Sequence, residues 1–407
     1  MKYFKTDGIR GKTNEYITLK LLYKVGRALA VLNNNAVFVG YDSRYFGYEL
    51  LKALAIGAKS KKMRVYNLKI MSTPGIMYYS LKYQAIGVSI TASHNLYYDN
   101  GVKVFLNGEK INVELENKLE EEMDKEKYFD FHLKRINKFN DELYLDFLKQ
   151  CKTKTRYKYI IDCSNGATSK IARKLFAKTI ASKPNGKNIN NGVGSVNPGY
   201  LVNYLNNHNY DYGYALDGDG DRIILADKDR IYYGDDILYL ILKYYKDNNI
   251  KIKKVIMSKM SNIGVINKIK EISDVSLCEV GDKNLLEGDI GAEPSGHIIL
   301  KDILPYGDGL FMITLLNKII NYYGLPINKL FDYQRYDELN YTIENSLIKR
   351  SALEINKFEA ILNEKIDGKI IIRKSGTEDI LRIYISLKNK EDIYKYKKII
   401  DDYLGGI

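Results

Sequence analysis

A serine among turn-forming residues, Thr91-Ala-Ser-His-Asn95, is the first place in this sequence where chemistry can be read. The apolar run Ala85 to Ile90 predicts a buried strand that stops at Thr91. Ser93, His94, Asn95 and then Asp99-Asn100-Gly101 are turn-type residues, so the chain is expected to pass through a loop there. A serine at the carboxyl end of a strand sits where open α/β sheets bind their ligands, and its hydroxyl could carry a phosphoryl group. His94 is not read as a serine-hydrolase base. Neighbours in an extended loop tend to point apart, and no partner carboxylate is indicated.

A second cluster, Asp217-Gly-Asp-Gly-Asp-Arg222, lies between the apolar runs Tyr212 to Leu216 and Ile223 to Ala226, both read as strands. Three carboxylates alternate with two glycines, so the loop is tight and its oxygens can converge on one hard cation. An EF-hand is excluded, because its sixth and twelfth positions require Gly and Glu where this chain has Arg222 and Lys228. Mg²⁺ typically takes one or two carboxylates plus phosphate oxygens, which suits a loop expecting a phosphate, with Arg222 offsetting charge. The third cluster, Arg373-Lys-Ser-Gly-Thr-Glu378, lies between the strands Lys369 to Ile372 and Ile380 to Ser386. Arg373 supplies charge, Ser375 and Thr377 supply hydroxyl donors, and Gly376 lets backbone N–H groups approach an anion. Arg382 could return to the same phosphate.

In this order, and with Thr6-Asp-Gly-Ile-Arg-Gly11 and Gly291-Ala-Glu-Pro-Ser-Gly-His297 added, the clusters resemble the α-D-phosphohexomutase family over nearly the whole chain. Tyr97-Tyr-Asp-Asn-Gly-Val-Lys103 and Met260-Ser-Asn-Ile-Gly264 are most similar to the branch that interconverts glucosamine 6-phosphate and glucosamine 1-phosphate. A branch acting on neutral hexose phosphates, glucose or mannose, is the alternative, since no single residue reports the substituent at C2. The chain departs from the family at Lys5, Leu96, Pro294 and Asp379, none of which removes a charged or metal-binding group.

The resemblance implies an intramolecular phosphotransferase of the isomerase class. Ser93 would be phosphorylated in the resting enzyme, give its phosphoryl group to the sugar, and recover the other one after the bisphosphorylated intermediate turns around. It implies Mg²⁺ held by Ser93, Asp217, Asp219 and Asp221, and a hexosamine or hexose 1,6-bisphosphate as activator. Arg10 and Lys103 would flank the phosphate from first-domain loops. Lys103 would act as general acid/base, with His297 sharing the role for the opposite sugar orientation. Arg222, Lys283, Glu293, Ser295 and His297 would face the substrate, and Arg373, Ser375, Gly376, Thr377 and Arg382 would hold its non-reacting phosphate.

The elements that must position these loops read as repeated α/β units. Leu19, Leu22, Val25, Leu29 and Leu32 have helical spacing, and strand and helix patterns then alternate up to the serine strand. One acidic helix is expected between Leu106 and Asn140, closing a first domain over 1–150. A second domain, 151–248, carries the metal loop, and a third, 249–335, carries Glu293 to His297 and a helix from Gly309 to Tyr323. Residues 336–407 form a smaller α+β domain. The resemblance implies three mixed-sheet α/β domains and this fourth one around a central cleft. Gly324-Leu-Pro326 and the polar stretch through Gln334 and Arg335 are expected to be a flexible connection on which the last domain closes.

Composition fits an enzyme of this kind. The 407 residues suggest three domains, or four small ones, at ~150 residues each. No apolar run approaches the ~20 residues a membrane helix needs, and Met1-Lys-Tyr-Phe-Lys-Thr lacks a signal-type apolar core, so a cytoplasmic location is expected. Three scattered cysteines without a C-x-x-C pair argue for reduced thiols. The net charge of +13 is spread among 50 acidic residues with no basic tract, so nucleic acid is not an expected partner. The same field would draw an anionic phosphosugar. A homodimer is one assembly open to such a chain.

Overall fold

The computed structural model describes residues 2–5, 7–125, 136, 139–176, 178–375 and 379–405. Among the described residues the strands form four sheets, one in each of four successive units. In the first, β1 (Ile9–Lys12), β2 (Ala36–Tyr41), β3 (Arg64–Ile70), β4 (Ile86–Ile90), β5 (Asp99–Leu106) and β6 (Glu109–Lys110) make a sheet of order β1-β5-β4-β2-β3, with β6 paired to β5. Strands β3, β2 and β4 are parallel, and β5 returns antiparallel beside β4. Helices α1 (Leu19–Ala28), α2 (Gly47–Ser60), α3 (Thr73–Lys82) and α4 (Val113–Lys125) cover this sheet. The start of α1 follows from Thr18, whose hydroxyl accepts the Leu21 N–H at 3.2 Å, and its buried face comes from leucine and valine at helical spacing. The acidic helix read from the sequence is α4; residues 126–135 and 137–138 of that stretch lie outside the described residues.

The second unit adds α5 (Leu143–Cys151), β7 (Tyr159–Asp162), α6 (Ser169–Leu175), β8 (Thr179–Ile180), α7 (Gly199–Asn207), β9 (Tyr212–Leu216), β10 (Ile223–Ala226) and β11 (Ile231–Tyr232). Its sheet runs β11-β10-β9-β7-β8, parallel through β8, β7 and β9, then antiparallel. The third comprises α8 (Gly234–Asp247), which the boundary expected at 248 left in the second domain but which packs on α9 and α11, then β12 (Val255–Ser258), α9 (Ile263–Lys270), β13 (Val275–Cys278), α10 (Asp282–Leu285), β14 (Ile290–Ala292), β15 (Ile298–Leu300) and α11 (Gly309–Tyr323). Its order is β13-β12-β14-β15, again parallel until the last strand. The fourth is smaller: β16 (Asp337–Glu344), α12 (Ala352–Asn363), β17 (Gly368–Lys374), β18 (Ile380–Leu387) and α13 (Lys390–Leu404), with an antiparallel sheet β16-β18-β17.

One device recurs in the three α/β units. The loop that leaves the last parallel strand for its antiparallel neighbour is in each case the one singled out from sequence: β4 to β5 carries Ser93, β9 to β10 carries Asp217 to Asp221, and β14 to β15 carries Glu293 to His297.

Some expectations need correction. Asp99-Asn100-Gly101 is not a turn but the opening of β5, an interior strand. Side-chain size explains it: a Cβ on Gly101 would stand 2.5 Å from the Ile9 carbonyl oxygen and 2.6 Å from that of Thr91, so only glycine fits between the flanking strands. Lys103 and Arg10 therefore lie on adjacent strands, β5 and β1, rather than in loops, with Arg10 opposite Gly101.

The connector to the fourth unit is also tied down. Leu330 and Phe331 are buried, Tyr333 donates to Asp236, and Arg335 forks onto Asp235 (2.9 Å), Asp236 (2.7 Å) and Glu338 (2.9 Å). The Asn262 amide donates to the Tyr336 carbonyl at 2.8 Å and its oxygen accepts the Tyr336 N–H at 3.0 Å. Burial pushes Asp236 up to about 6 although Arg335 opposes the shift. Arg335→Ala would leave the fully buried Asp235 without a cation and Asp236 with Arg230 alone (3.0 Å), and is expected to cost about 3 kcal/mol, read as a lowered thermal midpoint; Arg335→Lys should recover part of it.

Candidate active site

Ser93 occupies the left-handed region, with φ of 49°, a conformation that strains a serine and needs support from its surroundings. Its N–H donates to the Thr91 hydroxyl at 2.8 Å, and the side chain is fully buried. The hydroxyl points across the unit boundary and donates to Asp217 Oδ2 at 2.7 Å. His94 does not point away as expected: its Nδ1 lies 3.4 Å from Ser93 Oγ, because the left-handed turn folds the two neighbours onto one side. Burial, followed by Arg222 and Arg10, lowers the His94 pKa to about 4, so the ring is neutral at pH 7.

Asp217, Asp219 and Asp221 each offer an oxygen, all within 4.8 Å of one another, and all three side chains are buried. The backbone of the loop turns on Asp217 Oδ1, which accepts the Gly220 N–H at 3.0 Å. Asp219 Oδ2 accepts from the Thr73 hydroxyl at 2.7 Å, while Asp219 Oδ1 and Asp221 Oδ1 are buried with no hydrogen-bond partner among the described residues. Lys103 Nζ stands 3.0 Å from both Asp219 and Asp221. Burial alone would raise Asp217 and Asp219. Lys103 overrides it at Asp219, holding that carboxyl well below the usual range, whereas burial and then the Asp221 and Asp219 charges push Asp217 well above it. Converging carboxylates with partnerless oxygens and too little positive charge fit a divalent cation, with Ser93 Oγ at the rim of the same oxygen cluster.

Around this cluster runs a belt of alternating charge. Asp7 pairs with Arg10, with Lys110 and, at 3.2 Å, with Lys103. Lys110 reaches on to Asp282 of the third unit, whose Oδ2 lies 3.7 Å from His297 Nε2. His297 Nδ1 is 4.0 Å from Asp221 Oδ1, and Arg222 Nε is 3.9 Å from the same oxygen. Arg222 and His297 also form an isolated antiparallel bridge that joins the Asp217–Asp221 loop to the Glu293–His297 loop. The structure thus brings together Ser93, Arg10, Lys103, Asp217, Asp219, Asp221, Arg222 and His297. Thr73, Lys110 and Asp282 join them and carry no motif that the sequence could have exposed.

The remaining residues stand further out. Glu293 Oε1 accepts the Gly281 N–H at 2.8 Å, and Ser295 Oγ donates to Glu293 Oε2 at 3.2 Å, so this pair is preassembled on the β14–β15 loop. Lys283 turns to the first unit, its Nζ 2.8 Å from the buried Glu116. Arg373 and Arg382 are directly opposite each other on β17 and β18. They line an open groove of about 580 Å³ with Met260, Thr342 and Tyr384. Like charges face to face across a sheet repel, which suits an anion between them. No described contact joins these two arginines to the Ser93 cluster. The Ser375 N–H donates to the Ile380 carbonyl at 2.9 Å, and Thr6, Gly376, Thr377 and Glu378 lie outside the described residues.

Comparison with known proteins places this arrangement. Models of the phosphoglucomutase/phosphomannomutase α/β/α domains I, II and III match residues 1–130, 139–230 and 233–336. The chain is 36% identical to the phosphoglucosamine mutase of Bacillus licheniformis, over 98% of both chains. It is 35% identical to that of Bacillus subtilis, over 100% of this chain and 97% of the relative. A solved phosphoglucomutase/phosphomannomutase family protein from Burkholderia thailandensis superposes with a TM-score of 0.81 at 20% identity, covering 97% of this chain and 95% of that one. Aspergillus fumigatus N-acetylphosphoglucosamine mutase, solved with GlcNAc-6P and magnesium, gives a TM-score of 0.67 at 17% identity, covering 98% and 95%. Among the described residues no helix is long and apolar enough to cross a membrane. With three domain matches in order and a relative more than one-third identical from end to end, the chain belongs to the α-D-phosphohexomutases, the phosphoglucomutase/phosphomannomutase family.

Proposed function

We propose that this enzyme is a phosphoglucosamine mutase, interconverting glucosamine 6-phosphate and glucosamine 1-phosphate through a phosphoserine at Ser93 and a bisphosphorylated sugar. The observation that carries the reading is the Ser93 hydroxyl seated 2.7 Å from Asp217 at the rim of a converging carboxylate triad. Whole-length identity to phosphoglucosamine mutases supports the choice of sugar.

In the first half-reaction the sugar hydroxyl oxygen forms a P–O bond as the bond from phosphorus to Ser93 Oγ breaks. The proton lost by that hydroxyl balances the one Ser93 regains. In the second half the same exchange runs backwards from the other end of the sugar. Lys103 and His297 flank the triad from opposite units and are the candidate proton carriers, with Arg10 beside the transferring group. Asp217, Asp219, Asp221 and Ser93 would hold Mg²⁺, which when bound neutralises charge on the phosphoryl oxygens. Arg222, Glu293 and Ser295 would orient the sugar, and Lys283 would join them on leaving Glu116. Arg373, Ser375, Gly376, Thr377 and Arg382 would grip the distal phosphate. Hexosamine 1,6-bisphosphate would keep Ser93 charged. A cytoplasmic setting and a homodimer belong to the same reading.

Peptide mapping of protein purified with phosphatase inhibitors is expected to place one phosphate on Ser93. A substrate panel is expected to give the highest kcat/KM with glucosamine phosphates. Higher kcat/KM with glucose or mannose phosphates would transfer the enzyme to the neutral-hexose branch, and full activity with phosphate only on another residue would overturn the mechanism.

A further inference from the structure

Two residues outside every recognised motif close on the backbone of the nucleophile loop. Arg44, fully buried in the loop after β2, directs Nη2 at the carbonyl oxygens of Ser93 (3.3 Å) and Asn95 (2.6 Å). Asn190, buried in the coil between β8 and α7 of the second unit, directs Nδ2 at the same two oxygens, 2.8 and 2.9 Å away. Arg44 is itself fixed by the buried Asp42, which pairs with Nη1 and accepts the Arg44 N–H at 3.0 Å. Its loop is bolted to the second unit: Ser43 Oγ donates to the Asn165 carbonyl at 2.6 Å, and the Tyr45 N–H to the Gly186 carbonyl at 3.0 Å. Packing at the shared carbonyl leaves no spare volume. A Cβ on Gly218 of the metal loop would stand 2.6 Å from the Ser93 oxygen and 2.7 Å from Asn190 Nδ2.

We propose that Arg44 and Asn190 are positioning residues for phosphoryl transfer, forming a two-sided clamp on the Ser93 and Asn95 carbonyls that locks the nucleophile loop to the unit holding the carboxylate triad. The inference rests on the reading that Ser93 carries the phosphoryl group. Such a serine must hold one position in two states that differ by most of two negative charges. Its left-handed backbone would relax if released, and relaxation would carry Oγ away from Asp217. Reading the carbonyls rather than the side chain lets the clamp act identically on serine and phosphoserine. Because one jaw belongs to each unit, the clamp also sets the distance between nucleophile and carboxylates.

The test is Asn190→Ala, which removes one jaw and leaves the Arg44–Asp42 pair intact. Single-turnover transfer from the phosphorylated enzyme to glucosamine 6-phosphate, expressed per mole of phosphoserine, is expected to fall about 30-fold with KM changed less than about 2-fold, as a sub-ångström misplacement of a reacting group would produce. Arg44→Lys keeps the charge facing Asp42 and loses the planar fork; it is expected to lose about 10-fold in the same assay and serves if Asn190→Ala does not fold. Wild-type transfer per phosphoserine, with only a lower thermal midpoint, would reduce both residues to ordinary docking contacts and overturn the clamp. A wild-type enzyme without phosphate on Ser93 would instead remove the functional reading, and the clamp with it.

Discussion

Replacing Ser93 with alanine is expected to lower kcat by at least about 10⁴-fold, the scale seen when a covalent nucleophile is deleted, while leaving the protein folded. The substitution removes one hydroxyl and keeps the Cβ. The backbone N–H still reaches Thr91, and the carbonyl still receives Arg44 and Asn190. What disappears is the group 2.7 Å from Asp217. Steady-state assays with added hexosamine 1,6-bisphosphate, paired with thermal unfolding and phosphate stoichiometry, separate the outcomes. Zero phosphate, near-zero turnover and an unchanged midpoint are expected. Substantial turnover by the variant would show that the phosphoryl group travels by another route.

Asp219→Asn is expected to reduce kcat by about 10²- to 10³-fold, the range for losing one preorganised charge at a transition state. Asparagine keeps the shape of the side chain and can still accept from Thr73, so the loop should hold. It removes one of three converging negative charges and turns an amide towards a site built for oxygens. The two forms should therefore respond differently to metal. Wild-type protein should gain thermal midpoint on addition of Mg²⁺ and lose activity to a chelator. In the variant the buried Lys103 loses one of its carboxylate partners, so the metal-free midpoint should fall at or below the wild-type value and scarcely move with Mg²⁺. An equal Mg²⁺ response in both would show that the cation binds elsewhere.

The sequence exposed those elements whose apolar pattern is uninterrupted. Strands β9 and β10 and helix α11 occupy the residues read from periodicity, because Tyr212 to Leu216, Ile223 to Ala226 and Gly309 to Tyr323 are buried almost throughout. Strand β5 was hidden because Asp, Asn and Gly ordinarily disfavour strands, and only the tight fit against Ile9 and Thr91 reverses that preference. In the site, the clustered carboxylates and the serine were legible because spacing alone gathers them. Lys110 and Asp282 were not, since each is a single charge outside any motif and the pair forms only when the first and third units dock. The connector misled for the same reason: Arg335 reads as linker until Asp235 and Asp236 are placed beside it.

The recurring position of the three functional loops has a consequence for how such an enzyme can change over generations. Each loop hangs from its own sheet at the same topological step, so no unit possesses the chemistry and none can lose it alone. The Ser93 loop and the carboxylate loop are interlocked through the Ser93–Asp217 hydrogen bond and the contacts of Arg44 and Asn190 with the Ser93 carbonyl, so a drift in one must be answered in the other. The loop from Glu293 to His297 touches that core mainly through Arg222 and His297. Sugar preference can thus be rewritten around Glu293 and Ser295 while His297 and the rest of the phosphoryl machinery are inherited unaltered, which is the arrangement expected of a lineage that has diversified its substrates without reinventing its reaction.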